Sequence, residues 1–140
     1  MNGSKILNHK SIDFLSIGEG ENTIVELLLA LEKNTELNSV NGIVFKDGDK
    51  IINTKPQSYV ENLDSLDFPL THAQKVLKDF DKYPKEAFGY IFASRGCPYA
   101  CTFCESKSMW TRKVRYRSPE NVVAELKQMY EFGIKKVNFD

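Results

Sequence analysis

Residues 95–104 read RGCPYACTFC and hold every cysteine of the 140-residue chain, namely Cys97, Cys101 and Cys104. Three thiols at these spacings can form disulfides, pack as small apolar groups or bind a metal centre. Disulfides fit poorly, because an odd count leaves one thiol over and such bridges are rare in a reducing cytosol. The spacing also matches one face of a helix, but the glycine and proline inside the stretch favour a loop that follows a strand.

A metal centre is the favoured use of the three thiols, and two kinds of centre stay open. Structural zinc is tetrahedral and needs a fourth ligand. The two histidines of the chain, His9 and His72, lack the short spacing of a zinc finger. An iron-sulfur cluster held by three thiolates instead leaves one iron without a protein ligand, and an open iron can take a substrate or a cofactor.

Residues 94–104 resemble the signature of the radical S-adenosylmethionine (SAM) superfamily, in which three cysteines follow the pattern C-x3-C-x-aromatic-C. Phe103 stands at the aromatic position of that pattern. Residues 117–125, which read RSPENVVAE, are similar to the subgroup whose members carry an N-terminal cobalamin-binding domain. Residues 18–21, which read GEGE before an apolar helix, are similar to the last βα unit of that domain.

The resemblance implies a cofactor set and a reaction. Cys97, Cys101 and Cys104 would hold a 4Fe-4S cluster, the fourth iron would chelate SAM, and Phe103 would lie near the adenine. An electron from the cluster would cleave SAM reductively to a 5′-deoxyadenosyl radical. The implied function is a radical SAM enzyme, or a fragment of one, with a low-potential electron donor, cobalamin as a further cofactor, and methylation or rearrangement of an unknown small-molecule or lipid substrate.

Composition is ordinary for one soluble domain, with 41% hydrophobic residues and a net formal charge of zero. The balanced charge signals no basic face for nucleic acid. The longest apolar run, residues 25–31, is too short to span a bilayer, so we expect a cytoplasmic protein without a transmembrane segment. Because a complete (β/α) barrel needs about 200 residues or more, we interpret the chain as a fragment. The alternative is a non-catalytic iron-sulfur or zinc-binding module.

The first part of the chain predicts a sheet and one long helix. Residues 1–10 are polar and expected to be loose, and residues 12–17 predict a strand. Residues 23–33 predict a helix, and residues 42–54 predict a hairpin with an Asp-Gly turn. The predicted apolar face of the helix consists of Ile24, Leu27, Leu28 and Leu31.

The last part of the chain predicts a β-loop-α-β unit. Residues 88–94 form an apolar run that we expect to be a strand, and the cysteine loop leaves its C-terminal end, where parallel sheets place active sites. Ser118 is a suitable N-cap and Gly133 a suitable helix end. Residues 134–139 predict a second, parallel strand. The predicted buried stripe of the helix consists of Val122, Val123, Leu126, Met129 and Tyr130.

Together the elements and the resemblance imply an α/β chain in three parts. Residues 1–55 would be the C-terminal part of a Rossmann-like cobalamin-binding domain, and residues 56–86 a linker with one short helix near residues 72–80. Residues 87–140 would be the N-terminal part of a radical SAM (β/α) barrel. The basic and aromatic side chains after the cysteines are expected to cover the cluster and the SAM carboxylate, or to be solvated. They are Trp110, Arg112, Lys113, Arg115 and Arg117.

Overall fold

The computed structural model describes the backbone of residues 3–140 and the side chains of residues 5–106 and 109–140. Its backbone forms two compact units, one running up to Val60 and including Ala100–Thr111, the other comprising Glu61–Tyr99 and Arg112–Asp140. In chain order the helices and strands are α1 (Gly3–Leu7), β1 (Phe14–Ser16), α2 (Glu21–Glu32), β2 (Ile43–Asp47), β3 (Lys50–Asn53), α3 (Pro69–Val76), β4 (Tyr90–Ile91), β5 (Ser94–Arg95), α4 (Ser106–Met109), β6 (Arg115–Tyr116), α5 (Pro119–Phe132) and β7 (Asn138–Phe139).

The sheet of the first unit is antiparallel, with its strands in the order β1-β2-β3. Phe14 of β1 lies opposite Phe45 of β2, and their rings are 6.2 Å apart. Gly48 turns the β2–β3 hairpin with a φ of 58°, a left-handed conformation that glycine adopts without a steric penalty. The hairpin prediction is therefore confirmed, and the strand predicted at residues 12–17 is present in a shorter form.

Helix α2 confirms the predicted helix but not the face that we expected it to bury. Its buried residues are Thr23, Leu27 and Ala30, and the last two pack against a cluster that includes Ile43 and Phe45. The other members of the predicted face are exposed. Apolar residues occupy most positions of this helix, so the sequence defines no narrow stripe, and the small side chain of Ala30 packs against the sheet instead. The exposed members are Ile24, Leu28 and Leu31.

The start of the chain is more ordered than predicted. Residues 3–7 form helix α1, and Leu7 is buried, so the expectation of a loose segment is wrong there. A single apolar side chain that reaches the core outweighs the polar composition around it. Residues 1–2, which the same expectation covered, lie outside the described residues.

The second unit contains the predicted β-loop-α-β order. Strands β4 and β7 are parallel, with Ile91 opposite Phe139, and α5 lies between them in the chain. The single strand predicted at residues 88–94 is broken, because β5 turns away after Ala93 to pair antiparallel with β6. Sequence alone misses this break, because the apolar run continues through Phe92 and Ala93 without a turn signal.

Both ends of α5 form as predicted. The hydroxyl of Ser118 accepts a hydrogen bond from the backbone N–H of Asn121 at 3.1 Å. Gly133 has a φ of 97°, and its N–H donates to the carbonyl of Tyr130 at 2.9 Å. Local capping chemistry thus fixes where this helix begins and ends.

The buried face of α5 differs from the prediction. Ile91, Met129 and Ile134 form the buried cluster of the second unit. Val123 is half-exposed and Tyr130 is 76% exposed, so their expected burial is wrong. The acidic residue Glu125, which is only 3% exposed, lies on the inner face in their place. Its burial depends on a charged partner, Arg117.

Residues 56–86, expected to be a linker with a helix near residues 72–80, carry more structure than that. Helix α3 begins and ends earlier, at Pro69 and Val76. Beyond it, the rings of Phe80 and Phe88 lie 5.2 Å apart, and Phe132 packs against both. This aromatic cluster stabilises the segment despite its acidic and proline-rich sequence. Within the described part of the chain, no helix has the length and apolarity needed to cross a membrane.

Gly89 marks a close approach of two backbone segments in the second unit. A Cβ at this position would lie 2.6 Å from the carbonyl oxygen of Lys136 and 3.2 Å from that of Glu86. We therefore expect Gly89→Ala to lower the free energy of unfolding by about 1–3 kcal/mol, because backbone must move to make room. Urea denaturation followed by circular dichroism measures the change.

Gly20→Ala is the matched control for that substitution. A Cβ at Gly20 would meet no atom closer than the hydroxyl oxygen of Ser16 at 3.7 Å, and the backbone φ is −92°. We expect its effect to stay below about 1 kcal/mol. Equal losses in the two variants would show that the contact at Gly89 is not the cause.

Candidate functional site

The cysteine loop begins directly after β5. Gly96 has a φ of 105°, and Cys97 follows it. All three cysteines are free thiols; Cys97 and Cys104 are half-buried and Cys101 is exposed. Cys97 belongs to the second unit, whereas Cys101 and Cys104 belong to the first. In the described part of the chain no three His, Cys, Asp or Glu side chains form a group that could hold a metal ion, so a shared ligand set remains a prediction.

Cys104 has a hydrogen-bonding partner that favours its thiolate. Its Sγ lies 3.0 Å from the hydroxyl of Ser106. Hydrogen bonds from the side chain and the backbone of Ser106 lower the pKa of Cys104, against smaller opposing effects of burial and of the Glu105 charge. The thiolate is the form that binds metals. The lowered pKa therefore favours the form of Cys104 that a metal ion would bind.

This contact predicts a measurable change in thiol reactivity. Ser106→Ala removes the hydroxyl donor, so we expect the pKa of Cys104 to rise and its alkylation by iodoacetamide to shift to higher pH. Peptide mass spectrometry of metal-free, reduced protein across a pH series follows this one thiol. Ser106→Thr keeps a hydroxyl and should keep the wild-type profile; an unshifted profile in Ser106→Ala would refute the assigned cause.

The predicted adenine contact lies on an open surface. Phe103 is 89% exposed, and Tyr99 in the same loop is also exposed. An exposed ring can stack on a planar ligand at little cost in reorganisation. The contact of Phe103 with adenine remains a prediction from the resemblance.

The two histidines have the surface settings expected of them. Nε2 of His72 lies 3.0 Å from a carboxylate oxygen of Asp67, and the side chains of both residues are at least half-exposed. Nδ1 of His9 accepts a hydrogen bond from the backbone N–H of Ser11 at 3.3 Å. Among the described side chains neither belongs to a group of three or more His, Cys, Asp or Glu residues that could hold a metal ion.

The basic side chains after the cysteines are less available than predicted. Arg115 is buried, and Arg117 forms a 2.5 Å ion pair with Glu125 in which both side chains are largely buried. Lys113 is exposed but paired with Glu61 at 2.8 Å. Burial contradicts the solvated alternative for Arg115 and Arg117, whereas a role in covering the cluster and the SAM carboxylate stays a prediction. A buried guanidinium needs a carboxylate partner, and Glu125 supplies it.

Asp64 contacts the start of α5, a role that the sequence did not predict. Its carboxylate accepts a hydrogen bond from the backbone N–H of Ser118 at 2.9 Å, at the start of α5. Hydrogen bonds from the side chain and the backbone of Ser118 lower the pKa of Asp64; burial opposes them, and the charge of Arg117 adds a smaller lowering effect. Arg117 also contacts both Asn121 and Glu125, and these three residues stand four residues apart in the sequence. This spacing is the signal that could have predicted their contacts.

The turn at residues 18–21 is anchored within the first unit. Glu19 is buried, and its carboxylate accepts a hydrogen bond from the backbone N–H of Val60 at 2.9 Å. Gly18 has a φ of 83°. A buried carboxylate in this place would repel a phosphate, so the geometry favours a strand-to-helix turn over a nucleotide site.

Comparisons with known proteins identify the family. The model of the radical SAM superfamily matches residues 91–139, which include the cysteine loop and α5. The residues that carry the cysteine motif therefore match the radical SAM superfamily, as that motif predicted.

Curated relatives extend the similarity along most of the chain. It is 37% identical over 131 residues to an uncharacterized methyltransferase of Pyrococcus horikoshii, covering 91% of this chain and 28% of that protein. It is 36% identical over 115 residues to the anaerobic magnesium-protoporphyrin IX monomethyl ester cyclase of a Synechocystis species, covering 82% of this chain and 22% of that protein. The chain thus spans less than a third of the length of these relatives.

Solved structures show the same fold. The cobalamin-dependent SAM radical enzyme OxsB, solved with aqua-cobalamin and SAM, matches with a TM-score of 0.70 at 23% identity, covering 96% of this chain and 18% of that chain. The radical SAM methyltransferase TsrM from Kitasatospora setae, solved with cobalamin and a 4Fe-4S cluster, matches with a TM-score of 0.67 at 16% identity, covering 96% of this chain and 27% of that chain. The α/β fold is therefore shared with cobalamin-dependent radical SAM enzymes.

Proposed function

We propose that this chain is part of a radical SAM enzyme in which Cys97, Cys101 and Cys104 bind a 4Fe-4S cluster and SAM binds at its open iron. The observation that carries the proposal is the set of three free thiols, spaced C-x3-C-x-aromatic-C, in a segment that lies within the stretch matched by the family model. Three thiolates suit iron-sulfur chemistry and leave one iron open.

The donor residues fit the cluster by their chemistry. All three cysteines are free thiols, and the pKa of Cys104 is lowered. The loop is open to solvent at Cys101 and Phe103. When bound, the cluster would pass an electron from a low-potential donor to SAM and so initiate radical chemistry. Phe103 would provide a face for the adenine, and the strand end before Cys97 would hold the loop in place.

The proposed arrangement assigns each part of the chain a place in a larger enzyme. Residues 1–55 would be the end of a cobalamin-binding domain, residues 56–86 the connection, and residues 87–140 the start of the radical SAM barrel. The likeness to cobalamin-dependent structures over 96% of the chain supports this order. The parallel β4–β7 pair with α5 between its strands is what the first unit of such a barrel requires. Cobalamin is accordingly a cofactor of the proposed enzyme.

The proposed reaction is cobalamin-linked methylation or rearrangement of a small molecule or lipid. The relatives support this range, because their names include methyltransferases, a cyclase and the hopanoid C-3 methylase of Methylococcus capsulatus, which is 28% identical over 123 residues. Methyl transfer is the activity named most often among them. The substrate itself would bind in parts of the larger enzyme that this chain does not include.

Anaerobic reconstitution tests the cluster directly. The purified chain is incubated with iron and sulfide under reducing conditions, and in parallel with zinc. We expect about four irons and four acid-labile sulfides per chain, as a 4Fe-4S cluster requires. Tight, stoichiometric zinc without labile sulfide would overturn the proposal and favour a non-catalytic zinc module.

A further inference from the structure

The backbone between β4 and β5 accepts hydrogen bonds from both the backbone and the side chain of Arg117. Arg117 donates its own backbone N–H to the carbonyl of Ala93 at 3.0 Å, and its guanidinium Nη1 donates to the carbonyl of Phe92 at 3.1 Å. These two carbonyls belong to the break between the strands, immediately before β5 and the cysteine loop. Arg117 thus fixes the path of the chain just before Cys97.

The guanidinium of Arg117 also forms hydrogen bonds with residues of α5. Nε of Arg117 donates to the side-chain oxygen of Asn121 at 2.7 Å, and Nη1 pairs with the buried carboxylate of Glu125. The guanidinium also lies 5.5 Å from the ring centre of Phe68. Because the donors of arginine form a rigid planar fork, all these contacts hold the group in one orientation.

The start of α5 is tied down independently. Asp64 accepts from the backbone N–H of Ser118, and its carbonyl accepts from the side-chain amide of Asn121 at 3.5 Å. Helix α5 is therefore held by Asp64 at the same end at which Arg117 contacts it. A rigid helix, a rigid fork and two backbone carbonyls together form a continuous connection to the strand that leads into Cys97.

We propose that Arg117 is a positioning residue that sets the place of Cys97 and thereby the ability of the open iron to bind SAM. This inference rests on the proposed function. Arg117 has no role as a SAM ligand in it, because its donors are directed at protein groups. Lysine in its place would keep the charge opposite Glu125 but could not contact Asn121 and Phe92 together.

The test compares Arg117→Lys with the core variant Met129→Ala after anaerobic cluster reconstitution. SAM is titrated into the reduced protein, and the change in the electron paramagnetic resonance (EPR) spectrum gives its dissociation constant. We expect Arg117→Lys to retain iron but to bind SAM at least tenfold more weakly. Met129 is buried in the same unit, in the apolar cluster with Ile91 and Ile134, so Met129→Ala should lower the melting temperature and leave SAM binding within threefold of wild type.

Two outcomes would overturn the inference. Wild-type SAM binding in Arg117→Lys would show that the fork does not position the site. An equal loss in Met129→Ala would show that general destabilisation is the cause. A wild-type cluster whose spectrum ignores SAM would overturn the proposed function first and this inference with it, so the two failures are told apart by the wild-type titration.

Discussion

Replacing Cys97 with alanine is expected to abolish the 4Fe-4S cluster. Cys97 would be one of only three protein ligands, because the chain contains three cysteines and the fourth iron is left for SAM. Two thiolates cannot hold the cube, so we expect iron and labile sulfide to fall from about four per chain to below about one after reconstitution. Colorimetric iron and sulfide assays on desalted protein measure the loss.

Thr102→Ala is the matched control for that loss. Thr102 is an exposed residue of the same loop and carries no thiol. We expect it to retain the full cluster. A Cys97→Ala protein that keeps a complete cluster would contradict the ligand assignment, as would an equal loss in both variants, which would point to loop folding instead.

Removing Glu125 is expected to produce the largest change in stability. Glu125→Ala leaves the guanidinium of Arg117 buried without its carboxylate, and breaking a buried ion pair from one side costs about 3–5 kcal/mol. The effect should be concentrated in the second unit. Hydrogen exchange of the α5 amides, followed by mass spectrometry, reports the local free energy of opening.

Glu131→Ala provides the comparison on the same helix. Glu131 has the same charge but is exposed, so its removal should change the free energy by about 0.5 kcal/mol or less. Similar exchange rates in the two variants would mean that the buried pair does not stabilise α5.

The local features of the fold could be predicted because their causes lie within a few residues. The cap at Ser118, the left-handed Gly133 and the turn at Gly48 each depend on a side chain or a positive φ that only certain residues provide. The parallel pairing of β4 and β7 followed from the order of elements. These predictions did not require knowledge of distant contacts.

Distant contacts decided the features that the sequence did not predict. Glu125 occupies an inner position of α5 only because Arg117, which precedes the helix, neutralises it. Which face of α2 is buried depends on which of its apolar side chains fit against the sheet. The break after Ala93 depends on the pairing of β5 with β6. In each case the deciding partner lies several residues or more away.

For the candidate site, the sequence predicted the residue types but not the contacts that support them. The three cysteines and the aromatic Phe103 follow from the motif, and the family match supports their assignment to a radical SAM domain. The hydrogen bond between Ser106 and Cys104 and the contacts of the Arg117 guanidinium emerge only from the structure. Residue type and spacing point to the candidate ligands, whereas their electrostatics and support depend on packing.

The central claim is that this chain holds a cluster with an iron open to SAM. The most direct test is EPR spectroscopy of the anaerobically reconstituted, dithionite-reduced protein, recorded with and without SAM. We expect a 4Fe-4S signal whose shape changes when SAM is added. Absence of such a signal, or a signal that SAM leaves unchanged, would contradict the claim.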